Sequence, residues 1–196
     1  MSRNISIVGI DPSLTGTGVA ELVLSPRDTW DVFRWHCPTK GTRRDSLDMR
    51  CARIAQITAD VMSWSDGADL VVIEGPAYAS TVGSLLDRYG LWWRVVHRLL
   101  LQDVPVAVCP PTVLKKFITG DGRAHKDTVM ASVNALWAPD VPVINDNEAD
   151  ALGLATVGAA GLGLPMPIGF EMPRVDAMFL GVEWPEDFQA VRDAVA

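Results

Sequence analysis

An apolar run that closes on a carboxylate is the most restrictive feature of this chain. Ile5-Ser6-Ile7-Val8-Gly9-Ile10 reads as a buried β-strand, and Asp11 ends it. Pro12, Ser13, Gly16 and Gly18 form a tight turn, and a second apolar run begins at Val19. Aspartate is a poor strand former and is costly to bury without a partner. An Asp at the tip of such a strand therefore points to a positive group opposite it. An Asp before a Pro is equally a common turn former, and this stretch alone does not separate the two readings.

Further along, Val19 to Leu24 reads as a hairpin partner, residues 25–28 as a turn, and the alternating Trp30 to His36 as a half-exposed strand. Three antiparallel strands thus precede any helix. Residues 38–44 form a polar, basic loop. Leu47, Cys51, Ile54, Ile57, Val61 and Met62 recur at helical spacing and predict one inner face of a helix over 45–64. Residues 69–74 are a short apolar strand ending in Glu74, of the kind found mid-sheet with both faces covered. A helix is expected over 81–102, a strand over 104–108, a short helix over 113–118 capped by Thr112, and a helix over 125–137. The last long helix runs over 145–164. The Pro-punctuated tail, 165–196, is expected to hold one amphipathic helix near 186–195 and to form an extension to a first domain, 1–164, packing on its core or on a dimer. The order predicts a mixed α/β sheet with helices on both faces.

Sites in open α/β sheets lie outside the carboxyl ends of strands. Asp11 and Glu74 both occupy such ends, and parallel neighbouring strands would bring them together. A third carboxylate lies in Asn145-Asp146-Asn147-Glu148-Ala149-Asp150. Asp150 immediately precedes a small, apolar helical run, so it sits where that helix meets the core. Asp146 and Asn147 lie one turn earlier on the same face, and Glu148 points away. Two hard divalent cations about 4 Å apart need several such oxygens. Without cations the carboxylates would repel one another and shift each other's titration. The bland reading of Asp146 is a first-turn charge stabilised by the helix dipole. Lys115, Lys116, Arg123, His125 and Lys126 form the densest basic stretch outside Lys40 to Arg44, which suits phosphate and equally suits a solvated loop. Leu91, Trp92 and Trp93 read as core or as dimer interface.

The net charge of −7 excludes binding to nucleic acid or acidic membrane through bulk charge, though not through a local patch. Cys37, Cys51 and Cys109 are far apart and make no C-x-x-C pair, so neither a disulfide framework nor a cysteine zinc site is indicated. The beginning of the chain carries no signal-peptide apolar run. The uncharged stretch 151–170 is broken by glycines and prolines and is too short to span a bilayer, so a buried core helix is expected. A reducing cytoplasm is the expected compartment, that of a bacterial host if the chain is phage-encoded.

Four blocks resemble the RuvC family of Holliday junction resolvases, within the ribonuclease H-like/retroviral integrase superfamily. They are Gly9-Ile10-Asp11-Pro12-Ser13 with Thr15, Gly16 and Gly18; Val71-Val72-Ile73-Glu74-Gly75-Pro76; residues 110–117 with 120–126; and Glu148-Ala149-Asp150-Ala151-Leu152. They occur in family order over residues 5–160, and the Glu-Gly-Pro-Ala-Tyr form is closest to phage-encoded members. The resemblance implies a ribonuclease H-like five-stranded sheet, with the first three strands antiparallel and the last two parallel. It implies Asp11, Glu74 and Asp150 as catalytic, metal-binding carboxylates and two Mg2+ (or Mn2+) ions per site. Lys126 would stabilise the phosphate, and Lys115 or Lys116, with Arg123, would contact DNA. Tyr78 lies near a base-stacking position. The family's fourth metal position falls on Asn147, a departure that leaves Asp146 as a substitute ligand. The implied partners are branched DNA (four-way junctions, with forks and flaps as further substrates) and a second copy of the chain. The implied products carry 5′-phosphate and 3′-hydroxyl ends.

Two other readings compete. A non-catalytic branched-DNA-binding or scaffold relative is kept open by Asn147. An actin-like nucleotide-binding protein would need a second glycine-rich phosphate loop and about twice the length, and neither is present.

Overall fold

β1 (Ile5–Asp11) is the central strand of a mixed five-stranded sheet. The computed structural model describes residues 3–76, 85–137, 142–143 and 145–196. β2 (Gly16–Leu24) pairs antiparallel with β1, and β3 (Trp30–Pro38) pairs antiparallel with β2. On the other side β4 (Leu70–Glu74) and β5 (Val106–Cys109) run parallel to β1, giving the order β3-β2-β1-β4-β5. This is the sheet expected from the sequence. Its hairpin turn places Asp28 at a positive φ of 58°, a conformation that Asp tolerates better than most residues.

α1 (Leu47–Trp64) and α2 (Leu85–Leu100) cover one face through Val8, Ile10, Val19, Val71 and Ile73. α3 (Pro111–Thr119), α4 (Lys126–Trp137) and α5 (Asp146–Leu162) cover the other through Ile5, Ile7, Leu22, Leu24, Leu70 and Val72. Two expectations need correction. The inner face of α1 is Arg53, Ile57, Thr58, Val61 and Met62, whereas Leu47 and Cys51 are exposed. All of residues 47–49 are exposed, so the apolar period continues past the point where there is core to meet. α3 is capped by Pro110 with Pro111 in its first turn, not by Thr112. Proline there has its φ preset and lacks an N–H that would go unpaired anyway. The helix expected over 81–102 is described from Leu85 onward.

α5 is buried along almost its whole length, as a helix that is apolar all round must be. It lies directly on the sheet because glycines let the backbones meet. A Cβ on Gly9 would sit 1.9 Å from the Ala151 carbonyl oxygen, and one on Gly18 would sit 2.1 Å from that of Asn147. These glycines serve close approach as well as turning.

The tail adds α6 (Met172–Gly181), which the sequence reading missed, and α7 (Phe188–Val195). Pro173 reads as a break but sits in the first turn of α6, where proline is tolerated. Glu183 exchanges two backbone hydrogen bonds with Val108, at 2.8 and 2.9 Å, and so covers the outer edge of β5. Met178, Val182, Phe188 and Val195 are buried in the same core as α5. Among the described residues no helix is long and apolar enough to cross a membrane.

Candidate active site

Strand alternation decides which side chains meet. Ile5, Ile7 and Gly9 face α5, so Asp11 does as well; Leu70 and Val72 face α5, so Glu74 does as well. Ile10 pairs with Ile73, which brings Asp11 and Glu74 to neighbouring strand ends. On the other flank Asp11 lies opposite Gly18, and Gly18 lies opposite His36. Gly18 leaves a gap in this row, and the backbone of Asn147 fills it. The first turn of α5 is thereby held at the level of Asp11, and Asp150 follows one turn later. Asn145 caps the helix by accepting from the Glu148 backbone N–H at 2.9 Å. The Trp92 indole donates to the Glu74 carbonyl at 2.9 Å and holds the end of β4.

The three carboxylates lie within each other's electrostatic reach. Burial, then Glu74 and Asp150, raise the Asp11 pKa well above the usual range, and Lys126 opposes this. Burial and Asp150 push Glu74 up to about 7, against Lys115, a hydrogen bond with Asp11, and Lys126. Burial raises Asp150 to about 6, offset by Lys126 and Lys115. Asp146 is different: its hydrogen-bonded ion pair with Lys126 lowers its pKa. The donors are hard oxygens that repel one another, an arrangement that a hard divalent cation relieves. Among the described residues no three His, Cys, Asp or Glu side chains close into a finished metal cage.

The fourth position divides between two residues. Asp146 is engaged by Lys126. The Asn147 amide nitrogen lies 2.9 Å, and His36 Nε2 2.6 Å, from where a Cβ on Gly16 would stand. His36 is not among the residues expected at the site, but it alternates with Trp30 and Val32 along β3 and so shares this face. Of the two α3 lysines, half-buried Lys115 acts on Glu74 and Asp150. Lys116 and Arg123 instead line an adjoining cleft of about 880 Å³ with Arg174 of α6. Tyr78 lies outside the described residues.

No family model matches the chain. A crossover junction endodeoxyribonuclease RuvC of Paenarthrobacter aurescens is 31% identical over 170 residues, covering 82% of this chain and 85% of that protein. The chain belongs to the RuvC family. The Pseudarthrobacter chlorophenolicus RuvC is 30% identical over 81% of this chain and 83% of its own length. A Thermus thermophilus RuvC structure shares the fold, with a TM-score of 0.65 at 19% identity over 84% of this chain and all of that one. T. thermophilus RuvC in complex with Holliday junction substrate gives 0.60 at 21% identity over 77% of this chain and 90% of that one. RuvC-type nucleases use divalent metal ions. The oxygen-rich, under-neutralised group at Asp11, Glu74 and Asp150 fits such an ion.

Proposed function

We propose that this protein is a metal-dependent endonuclease that resolves Holliday junctions and related branched DNA by phosphodiester hydrolysis. The observation that carries the reading is the meeting of Asp11, Glu74 and Asp150, from two strand ends and one helix start, in a chain of the RuvC family. In this reading the three carboxylates hold two Mg2+ or Mn2+ ions, with Asp146 or Asn147 completing the set. When bound, such ions supply Lewis acidity to the attacking water and to the leaving oxygen. Lys126, exchanging its Asp146 partner for substrate, offsets charge developing on the phosphate. Lys115 holds the approaching strand from the β5 side, and Lys116 and Arg123 hold flanking phosphates. Tyr78 is the proposed stacking residue. Residues 1–164 form the nuclease unit, and 165–196 an extension that braces α3.

A junction has two equivalent scissile strands, and a two-fold dimer matches it. Leu86, Trp93 and Leu100 support a dimer on α2: they recur every seven residues along one stripe and are 79%, 64% and 56% exposed. The proposed compartment is the bacterial cytoplasm.

The test is incubation with a labelled four-way junction, a fork and a linear duplex, with and without Mg2+. Metal-dependent cutting of the branched substrates is expected, and Asp11→Asn is expected to keep binding while losing at least a thousandfold in cutting. Failure to cut any branched substrate with Mg2+ or Mn2+, with binding intact, selects the scaffold alternative.

A further inference from the structure

Resting on the nuclease reading above, we infer that the loop 39–44 is a second DNA grip, holding the sugar–phosphate backbone on the β3 side of the site. Lys40, Arg43 and Arg44 are all exposed, and they cluster in an otherwise acidic chain. The loop leaves β3 at Pro38, at the same sheet end as Asp11. Its first residue is tied to the turn that follows Asp11: the Thr39 N–H donates to the Thr15 carbonyl at 3.2 Å, and the Thr39 hydroxyl donates to the Leu14 carbonyl.

The loop is built rather than merely exposed. The Thr42 N–H and hydroxyl donate to the Asp45 carboxylate at 2.7 and 2.8 Å. Asp45 also pairs with the buried Arg53 at 3.7 Å. Gly41 rests on that guanidinium, where a Cβ would stand 1.7 Å from an Arg53 nitrogen. Asp45 is thus committed to Thr42 and Arg53, and the three basic side chains project from a braced frame. The neighbouring acid on the α1 side is Asp48, which is exposed.

Strand spacing sets the reach. β3 lies two strands from β1, about 10 Å at ~4.8 Å per step. That equals about three nucleotides of one strand at ~3.4 Å each. Lys115 lies on α3, which follows the edge strand β5, and it acts on the carboxylates from the edge of the sheet opposite β3. Cations on both sides of an anionic pocket would hold one strand across it, with the scissile phosphate over Asp11.

The test uses the full chain with Lys40→Ser, Arg43→Ser and Arg44→Ser combined, bound to a four-way junction in EDTA across a salt titration. Three lost phosphate contacts lower the slope of log K against log salt by about 2.7, and affinity at moderate salt falls at least tenfold. The variant and wild type should melt together, so that the loss is one of binding and not of folding. Arg43→Lys with Arg44→Lys keeps the slope. A methylphosphonate about three nucleotides from the cut weakens wild-type binding and leaves the triple variant unaffected. A triple variant with an unchanged slope, beside a wild type that cuts junctions, overturns the grip alone. A wild type that binds no junction overturns both readings.

Discussion

Replacing Asp150 with Asn should make the metal-free protein more stable and the loaded enzyme inactive. The Asp150 pKa rises from 3.8 to about 6. Between those values the native state keeps a proton that the unfolded chain releases, so stability falls as pH rises and the full penalty stands above about pH 6. A rise of that size corresponds to about 3 kcal/mol. Because Asp150 is the leading charge acting on Glu74, removing it also eases the ionisation of Glu74. In EDTA at pH 8, Asp150→Asn should gain up to about 3 kcal/mol, roughly 6–12 °C in Tm for a chain of this size. At pH 4, where a protonated Asp and an Asn are near-isosteres, the two proteins should unfold together. Urea titrations at pH 4, 6 and 8 measure this directly. Added Mg2+ at pH 8 should then stabilise wild type more than the variant, because it binds the ionised native site. Equal pH dependence of wild type and variant between pH 4 and 8 would refute the claim that burial holds Asp150 protonated in the metal-free native state.

Gly18→Ala should destabilise the protein by about 1–3 kcal/mol and reduce cutting more than binding, since the new methyl meets the Asn147 backbone; a melting curve with parallel cleavage assays checks both effects. Lys115→Ala should slow cutting and shift its pH profile upward, because Lys115 lowers the Glu74 and Asp150 pKa values. Lys116→Ala should only weaken binding and flatten its salt dependence, and matching effects from the two lysines would contradict the geometry. Trp93→Glu, at the middle of the α2 stripe, should give a monomer by light scattering and separate the paired cuts of a junction; an unchanged mass would move the interface elsewhere.

Much was legible along the chain because it depends on local chemistry. Apolar strands ending in Asp11 and Glu74, the alternation of β3, and the small-residue helix behind Asp150 are readable from residue order, since period and propensity act over a few residues. The RuvC-like blocks conveyed the family for the same reason. The misreadings at Leu47, Cys51 and Thr112, and the missed α6, lie at element ends and in the tail, where partners far away in sequence determine exposure and capping. The division of labour among the basic residues is likewise tertiary. Lys115 faces the carboxylates while Lys116 faces a cleft completed by Arg174, 58 residues further on. Residue order alone named the acids and the strands that carry them. Only the folded chain decided that Gly9 and Gly18 admit α5 against the sheet, and without that contact Asp150 would stand a side chain's width too far from Asp11 to share its charge.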